Sequence, residues 1–241
     1  MELFKTAMVF TVVVLTMIIV TPLGLVALIL RGIGLKRLMA LGVYKIAQGW
    51  ARLLILCTGC KLTVLGRENI PRKEGVCFIS NHGSIFDIIL HLAFIGRPFG
   101  FVAKKELALI PILNGWILLL GGLFIDRKNI RKAVATINAG VSRIEKGGAM
   151  IIFPEGTRSK GRGLLPFRPG ALKLATQAGA PIVPVAIQGS YDVFERTGRV
   201  KAVPVRIVFM PPIGPMDIPA GERRSVLAEH VQGIIAAALE S

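Results

Sequence analysis

The 24 residues from Ala7 to Leu30 contain no charged side chain. As a helix they would reach ~36 Å against a hydrocarbon core of ~30 Å, so wherever the chain folds this stretch must be buried in lipid or in protein. Pro22 and Gly24 interrupt it, and a kinked span and a helix that dips into one leaflet both satisfy the pattern. Lys5 is the only basic residue ahead of the run, and no small-x-small site precedes a polar mature start, so a cleaved signal peptide is not expected. No Asp or Glu occurs between Leu3 and Arg67, while Arg31, Lys36, Arg37, Lys45, Arg52 and Lys61 are spread among Leu38, Leu41, Tyr44, Trp50 and Leu53. Such a segment suits a basic helix lying on an anionic membrane surface. If the first helix spans, Arg31, Lys36 and Arg37 outweigh Lys5 and place the remainder of the chain on the cytoplasmic side.

The balance of 30 Lys and Arg against 14 Asp and Glu gives a formal charge of +16. Acidic partners are expected: anionic headgroups, an acidic carrier protein or nucleic acid. With 7% aromatic residues and no aromatic-basic interleaving, nucleic acid is the weakest of the three. Cys57, Cys60 and Cys77 are an odd count without a second ligand pair, so neither structural disulfides nor a zinc site is expected, and they read as small apolar thiols.

Beyond Gly66 short apolar runs alternate with helical ones. The expected strands, counting one that starts at Lys61, are Lys61–Leu65, Val76–Ser80, Phe99–Ala103, Leu123–Asp126, Ala149–Phe153, Ile182–Gln188 and Val203–Met210. Asn129 is a candidate cap for a helix in which Ile130, Val134, Ile137, Val141 and Ile144 follow a 3.6-residue period, stopped by Gly147 and Gly148. Further helices are expected over Pro169–Ala178, ended by Gly179, and over Gly221–Leu239. The fold class is therefore α/β: a largely parallel mixed sheet of about seven strands flanked by helices. Residues 1–60 form a membrane-binding helical region and residues 61–241 the α/β domain. Leu107–Phe124 is uncharged but broken by Pro111, Asn114 and Gly121-Gly122; it reads as a buried helix lining an apolar groove, with a second span as the alternative.

Asn81-His82-Gly83-Ser84-Ile85-Phe86-Asp87 carries the first candidate site. Positions five apart on one helix diverge by about 140°, so His82 must lie in a turn before the helix that Ser84 and Asp87 open. Folded back, the Asp87 carboxylate fixes one imidazole tautomer and leaves the other nitrogen as a general base for a hydroxyl. A plain helix cap is the other use of Asp87. The second stretch, Phe153-Pro154-Glu155-Gly156-Thr157-Arg158-Ser159, puts a carboxylate, a glycine, hydroxyls and a guanidinium in a loop at a strand end, ahead of Lys160, Arg162 and Arg168. That composition suits a phosphate ligand or a polar surface turn. Lys104 and Lys105, just ahead of Leu107–Phe124, are solvated bases or a positive lip on the groove that segment lines. No Gly-x-Ser-x-Gly elbow, phosphate-binding Gly-x4-Gly-Lys-Ser/Thr loop or Gly-x-Gly-x-x-Gly fingerprint occurs, so a serine hydrolase and a nucleotide enzyme are unsupported. With three His and no clustered third ligand, no metal is expected.

Taken together, Asn81-His82-x4-Asp87, Gly122–Arg127, Phe153–Ser159 and Val183–Ile187 resemble, in order and spacing, the four motifs of the glycerolipid acyltransferase family. The likeness spans roughly residues 60 to 215, departing chiefly at Gly83 and Ile85-Phe86, where relatives often carry a larger polar residue and Trp-Leu. It implies transfer of a fatty acyl group from an acyl-CoA or acyl carrier protein thioester to the sn-2 hydroxyl of lysophosphatidate, at the inner membrane and without a cofactor. His82 and Asp87 would be the catalytic pair, and Glu155, Gly156, Thr157, Arg158, Arg127 and Lys105 would hold the substrate. Such enzymes commonly carry a membrane-binding helical region ahead of the α/β domain. Other acceptors (another lysolipid, glycerol 3-phosphate) and a non-catalytic basic membrane-binding protein are the competing readings.

Overall fold

The structure is a computed structural model that describes residues 2–33, 36–214 and 224–240. Seven strands form one sheet: β1 Lys61–Leu65, β2 Val76–Ser80, β3 Phe99–Lys104, β4 Leu123–Ile125, β5 Ala149–Ile152, β6 Ile182–Gln188 and β7 Pro204–Phe209. Their order is β1-β7-β6-β2-β5-β3-β4, and every neighbouring pair is parallel except β6 with β7. The mixed, mostly parallel sheet is the one the apolar runs predict.

β2 and β5 are buried along their whole length, as strands covered on both faces must be. Successive residues supply the two faces in turn. Val76, Phe78 and Ile151 join one apolar cluster with Leu90 of α3 (Phe86–Phe94), whereas Cys77, Ile79, Met150 and Ile152 join another with Ile144, Leu174, Val231 and Ile235. The second cluster is closed by α5 (Ile130–Glu145), α6 (Lys173–Ala178) and α7 (Arg224–Glu240). Asn129 caps α5 as predicted, its Oδ1 accepting from Lys132 N at 3.0 Å. Gly179 ends α6 in the left-handed region, at φ 56°, where a side chain would be strained. The helix predicted from Pro169 opens as a 3-10 turn, Pro169–Leu172. The Gly221 start expected for the last helix lies outside the described residues.

The N-terminal 60 residues form α1 (Glu2–Gly32) and α2 (Lys36–Thr58). Pro22 lies inside α1 without ending it, and among the described residues α1 is the one helix long and apolar enough to cross a membrane. It is docked along its length. Thr6 Oγ1 accepts from Val200 N at 2.8 Å, Phe10 meets Phe194 edge-on with ring centres 5.5 Å apart, and Trp50 Nε1 donates to Thr16 Oγ1 at 3.0 Å. Farther on, Gly24 lies against the Trp116 indole. The opposite face is bare, with Phe4, Ile18, Ile19 and Ile29 all exposed.

α2 is amphipathic toward the sheet: Tyr44, Ala47, Ala51 and Ile55 belong to the same core as Phe78 and Leu90. Its polar residues close the end of α3. Tyr44 Oη donates to Leu92 O at 3.4 Å, while Gln48 Nε2 and Arg52 Nε each donate to Ala93 O at 3.3 Å; a helix leaves its last carbonyls without internal partners.

Leu107–Phe124 departs from expectation. In place of one buried helix there is a 3-10 turn, Lys105–Leu109, then the seven-residue α4, Leu113–Leu119. Pro111 offers no N–H to continue a helix, and Ile112 turns the chain at φ 67°. Ile117 and Leu119 are buried, but Leu109, Ile112 and Leu113 face outward.

Candidate active site

β2, at the centre of the sheet, delivers residues 81–85 to its C-terminal end, and α3 leads away from them. Asn81 continues the ladder with its side chain: Nδ2 donates to Ile187 O and Oδ1 accepts from Ile187 N, both at 2.8 Å. The turn is thus pinned to β6. His82 and Asp87 meet as the spacing predicts, Nδ1 to Oδ2 at 2.8 Å. The same Oδ2 accepts from Ser84 N at 2.9 Å, and Ser84 Oγ accepts from Phe86 N at 3.0 Å. Asp87 therefore serves in both of its possible roles, as cap and as partner of the imidazole.

A buried carboxylate accepts, so the proton of neutral His82 resides on Nδ1 and Nε2 carries the free lone pair. Phe153 lies flat on the imidazole, with ring centres 4.0 Å apart and planes 21° from parallel. His91, one turn after Asp87, meets the same Phe153 edge-on at 5.7 Å and donates from Nδ1 to Asp87 O at 2.7 Å. Burial pushes the His91 pKa down to about 4, the hydrogen bond to Asp87 O opposing the shift. Neither the stacking of Phe153 nor the part taken by His91 is visible in residue spacing; both depend on β5 lying beside β2.

Glu155 comes just after β5 and is buried. Its Oε1 accepts from His82 N at 2.6 Å and its Oε2 from Leu165 N at 3.3 Å. Burial raises its carboxyl pKa above the ordinary value, and those two N–H groups oppose the rise. Both oxygens are thus engaged with backbone, which makes Glu155 a tie between the His82 turn and its own loop. Two further bonds complete the tie, Ser159 N to His82 O at 2.7 Å and Lys160 N to Gly83 O at 3.3 Å.

The expected cations fall into two kinds. Lys105 is paired with Asp126 at 2.9 Å, and Arg158 is paired with Glu195, a residue no motif singles out. The other oxygen of Glu195 accepts from Ile85 N at 2.9 Å, at the start of α3. Arg127 has no carboxylate partner among the described residues and donates from Nη1 to Gly156 O at 2.6 Å. Gly156 turns the loop at φ 73°, and Thr157 beside it is exposed.

An imidazole held by a buried carboxylate at the C-terminal end of a parallel strand, with no nucleophilic side chain hydrogen-bonded to it among the described residues, has the geometry to act as a base toward a hydroxyl that a substrate brings. The comparisons with known proteins agree with that class. Residues 61–188 match the family model described as Acyltransferase. The 1-acyl-sn-glycerol-3-phosphate acyltransferase of Borreliella burgdorferi is 34% identical over 136 residues, 56% of this chain and 54% of that protein. A probable 1-acyl-sn-glycerol-3-phosphate acyltransferase of Mycoplasma genitalium is 32% identical over 212 residues, 83% of this chain and 76% of that one. This chain thus spans little more than half the length of the Borreliella protein and about three quarters of the Mycoplasma protein. The crystal structure of the 1-acyl-sn-glycerophosphate acyltransferase PlsC from Thermotoga maritima superposes with a TM-score of 0.82 at 25% identity, covering 99% of this chain and 95% of that one. The chain belongs to the acyltransferase family.

Proposed function

We propose that this protein transfers a fatty acyl group from an acyl thioester to the sn-2 hydroxyl of lysophosphatidate, forming phosphatidate. The observation that carries the reading is the 2.8 Å contact between His82 Nδ1 and Asp87 Oδ2, which leaves Nε2 as the base, in a chain whose relatives are named for this acceptor. Nε2 takes the hydroxyl proton as the oxygen attacks the thioester carbonyl, and Asp87 stabilises the imidazolium without itself taking the proton. Collapse of the tetrahedral intermediate breaks the C–S bond, and the imidazolium returns its proton to the departing thiolate. The donor is acyl-CoA or acyl carrier protein, both of them anionic partners for a chain of charge +16.

Glu155 acts in this scheme by fixing the backbone of His82, while Arg127 and the Gly156–Arg158 loop supply the phosphate end of the site. The protein attaches to the inner membrane from the cytoplasmic side. Its docked α1 lies in one leaflet, with Phe4, Ile18, Ile19 and Ile29 facing the acyl chains and basic residues drawn to anionic headgroups.

The test uses the full chain in vesicles with lysophosphatidate, lysophosphatidylcholine, glycerol 3-phosphate or monoacylglycerol as acceptor, each with acyl-CoA and with acyl carrier protein thioester. Phosphatidate formed from lysophosphatidate in preference to the other acceptors is expected. A preference for another acceptor would overturn the substrate assignment, and binding to vesicles without any turnover would favour a non-catalytic lipid-binding protein.

A further inference from the structure

A cavity of about 400 Å³ opens beside Gly83, the residue that follows His82. β2 lies between β5 and β6, and one wall of the cavity comes from the turn after β6, residues 188–192. The other wall is drawn from residues 159–164, which cross the His82 turn on the bonds from Ser159 N to His82 O and from Lys160 N to Gly83 O. Arg127 and Gly156, at the phosphate end of the site, do not line it.

Two buried serines face this space. Ser159 is 6% and Ser190 3% exposed, and a Cβ built on Gly83 would lie 3.5 Å from Ser190 Oγ and 4.0 Å from Ser159 Oγ. Neither hydroxyl has a hydrogen-bond partner among the described residues. A buried hydroxyl left unpaired costs free energy that the polar groups of a ligand recover. Two cations also line the cavity. Arg196 is held by Asp192 at 3.1 Å, whereas Lys160 is exposed and has no carboxylate partner among the described residues. The Lys160 backbone is left-handed at φ 52°, a strained conformation that persists in a residue with a side chain only where its surroundings impose it.

We infer that this cavity takes the phosphopantetheine arm of the acyl donor, the part that acyl-CoA and acyl carrier protein have in common. The Ser159 and Ser190 hydroxyls meet its amides and Lys160 meets its phosphate. This rests on the thioester-donor reading of the function. The arm is a narrow chain with two amides, a hydroxyl and a pair of methyl groups, carrying the thioester at one end and a phosphate ester at the other. Hydroxyls, a lysine and the apolar surface of Leu164 and Leu239 match that mixture; a fatty chain would leave the hydroxyls and the lysine unpaired. The direction is fixed by the same residues. Gly83 puts the thioester end one residue from the base, and exposed Lys160 puts the phosphate at the rim, where either the nucleotide of CoA or the carrier protein stays outside.

The experiment measures donor and acceptor KM separately for Ser190→Ala, Lys160→Gln, Lys160→Arg and, as an exposed charge control on α5, Lys132→Gln. Each is made in the full chain and assayed on vesicles with acyl-CoA and with acyl carrier protein thioester. Melting should stay put in S190A, whose hydroxyl makes no bond among the described residues, and in K160Q, because the Lys160 backbone N–H bonds Gly83 O. S190A is expected to raise the donor KM about three- to tenfold, the range of a lost neutral hydrogen bond. K160Q should raise it about tenfold, the low end for a charge-assisted contact because the residue is exposed, and K160R should recover most of that. Both donors should lose alike, with the lysophosphatidate KM unchanged and K132Q behaving as the wild type. Donor KM values within about twofold of the wild type in folded S190A and K160Q overturn the cavity while leaving the acyl-transfer reading intact. A K160Q effect on only one donor would place Lys160 against the nucleotide or the carrier surface, and a rise in lysophosphatidate KM would give the cavity to the acceptor; either overturns the inference. So does an equal rise in K132Q, which would reduce the effect to general charge. No phosphatidate from the wild type with either donor would instead overturn the function on which the inference rests.

Discussion

α1 and the His82 turn depart from ordinary burial in opposite directions. α1 leaves Phe4 77% exposed and Ile29 67% exposed, whereas the turn has Asp87 and His91 fully buried and Glu155 only 3% exposed. Large exposed apolar patches and buried ionisable groups are the two informative exceptions to burial patterning. Within the turn the chain supplies most of the missing partners, backbone N–H groups for Glu155 and the imidazole and Ser84 N for one oxygen of Asp87, while Asp87 Oδ1 and His91 Nε2 find none among the described residues. No described residue covers the outer face of α1, and a surface so apolar is matched by lipid. The proposed function divides in the same way, with proton transfer assigned to the turn whose buried groups the chain largely partners itself and attachment to the helix face it leaves bare.

The sharpest way to break the comparison is at the turn. His82→Ala should lower kcat by ~10²–10⁴, as removal of a positioned base does, while vesicle binding is retained because α1 is untouched. Near-normal turnover in the folded variant would remove the base from the mechanism.

On the other side, Ile18→Asn with Ile29→Asn should lower partition into neutral vesicles by ~10²–10⁴-fold, given ~1.5–3 kcal/mol for each apolar side chain withdrawn from lipid, with the kcat of the vesicle-bound fraction preserved. Salt near roughly 1 M cuts screening lengths to ~3 Å and should leave the unaltered chain on the membrane. Its complete release would make attachment purely electrostatic.

His91 sharpens the account of burial. Its folded pKa of about 4 is depressed from the ordinary 6.5, so its contribution to stability is fully present above pH ~6.5 and is lost as pH falls toward about 4, on the order of 3 kcal/mol in all. Melting measured from pH 7 to 4 should therefore be less steeply pH-dependent in His91→Leu than in the wild type, even though that variant starts from a lower melting temperature. An unchanged slope would assign the acid sensitivity to other groups.

The smallest effect concerns the Arg158 pair. Arg158→Ala leaves Glu195 as an uncompensated carboxylate beside the phosphate end of the site and should raise the lysophosphatidate KM about tenfold. Adding Glu195→Gln should recover only the part of that loss that the bare carboxylate causes, since the phosphate contact of Arg158 stays lost. Full recovery in the double variant would instead make Arg158 an internal ion pair that does not touch the phosphate.

Much of this molecule is readable from residues alone. Seven apolar runs become seven strands because the central ones are buried on both faces, where continuous hydrophobicity leaves little ambiguity. His82 and Asp87 are legible because their five-residue spacing fits only a turn ahead of a helix. Leu107–Phe124 reads as one helix only when its apolar content is weighted above Pro111 and Gly121-Gly122, and the backbone obeys the proline instead. Glu155 stands out in its motif, but its acceptance of His82 N does not, since the contact joins residues 73 positions apart. Glu195 lies outside the recognised motifs, and its pairing with Arg158 is formed only by the fold.

α2 has one more consequence. Its Tyr44, Gln48 and Arg52 close the carbonyl end of the helix whose opening turn holds Asp87, and its Ala47, Ala51 and Ile55 complete the sheet's core. The N-terminal helices and the α/β body are therefore not interchangeable cassettes. A gene fusion that swapped the first 60 codons for another anchor would deliver the body to a bilayer with α3 unstoppered and its core open. The part of this chain that recombination could move as a working unit begins before α2.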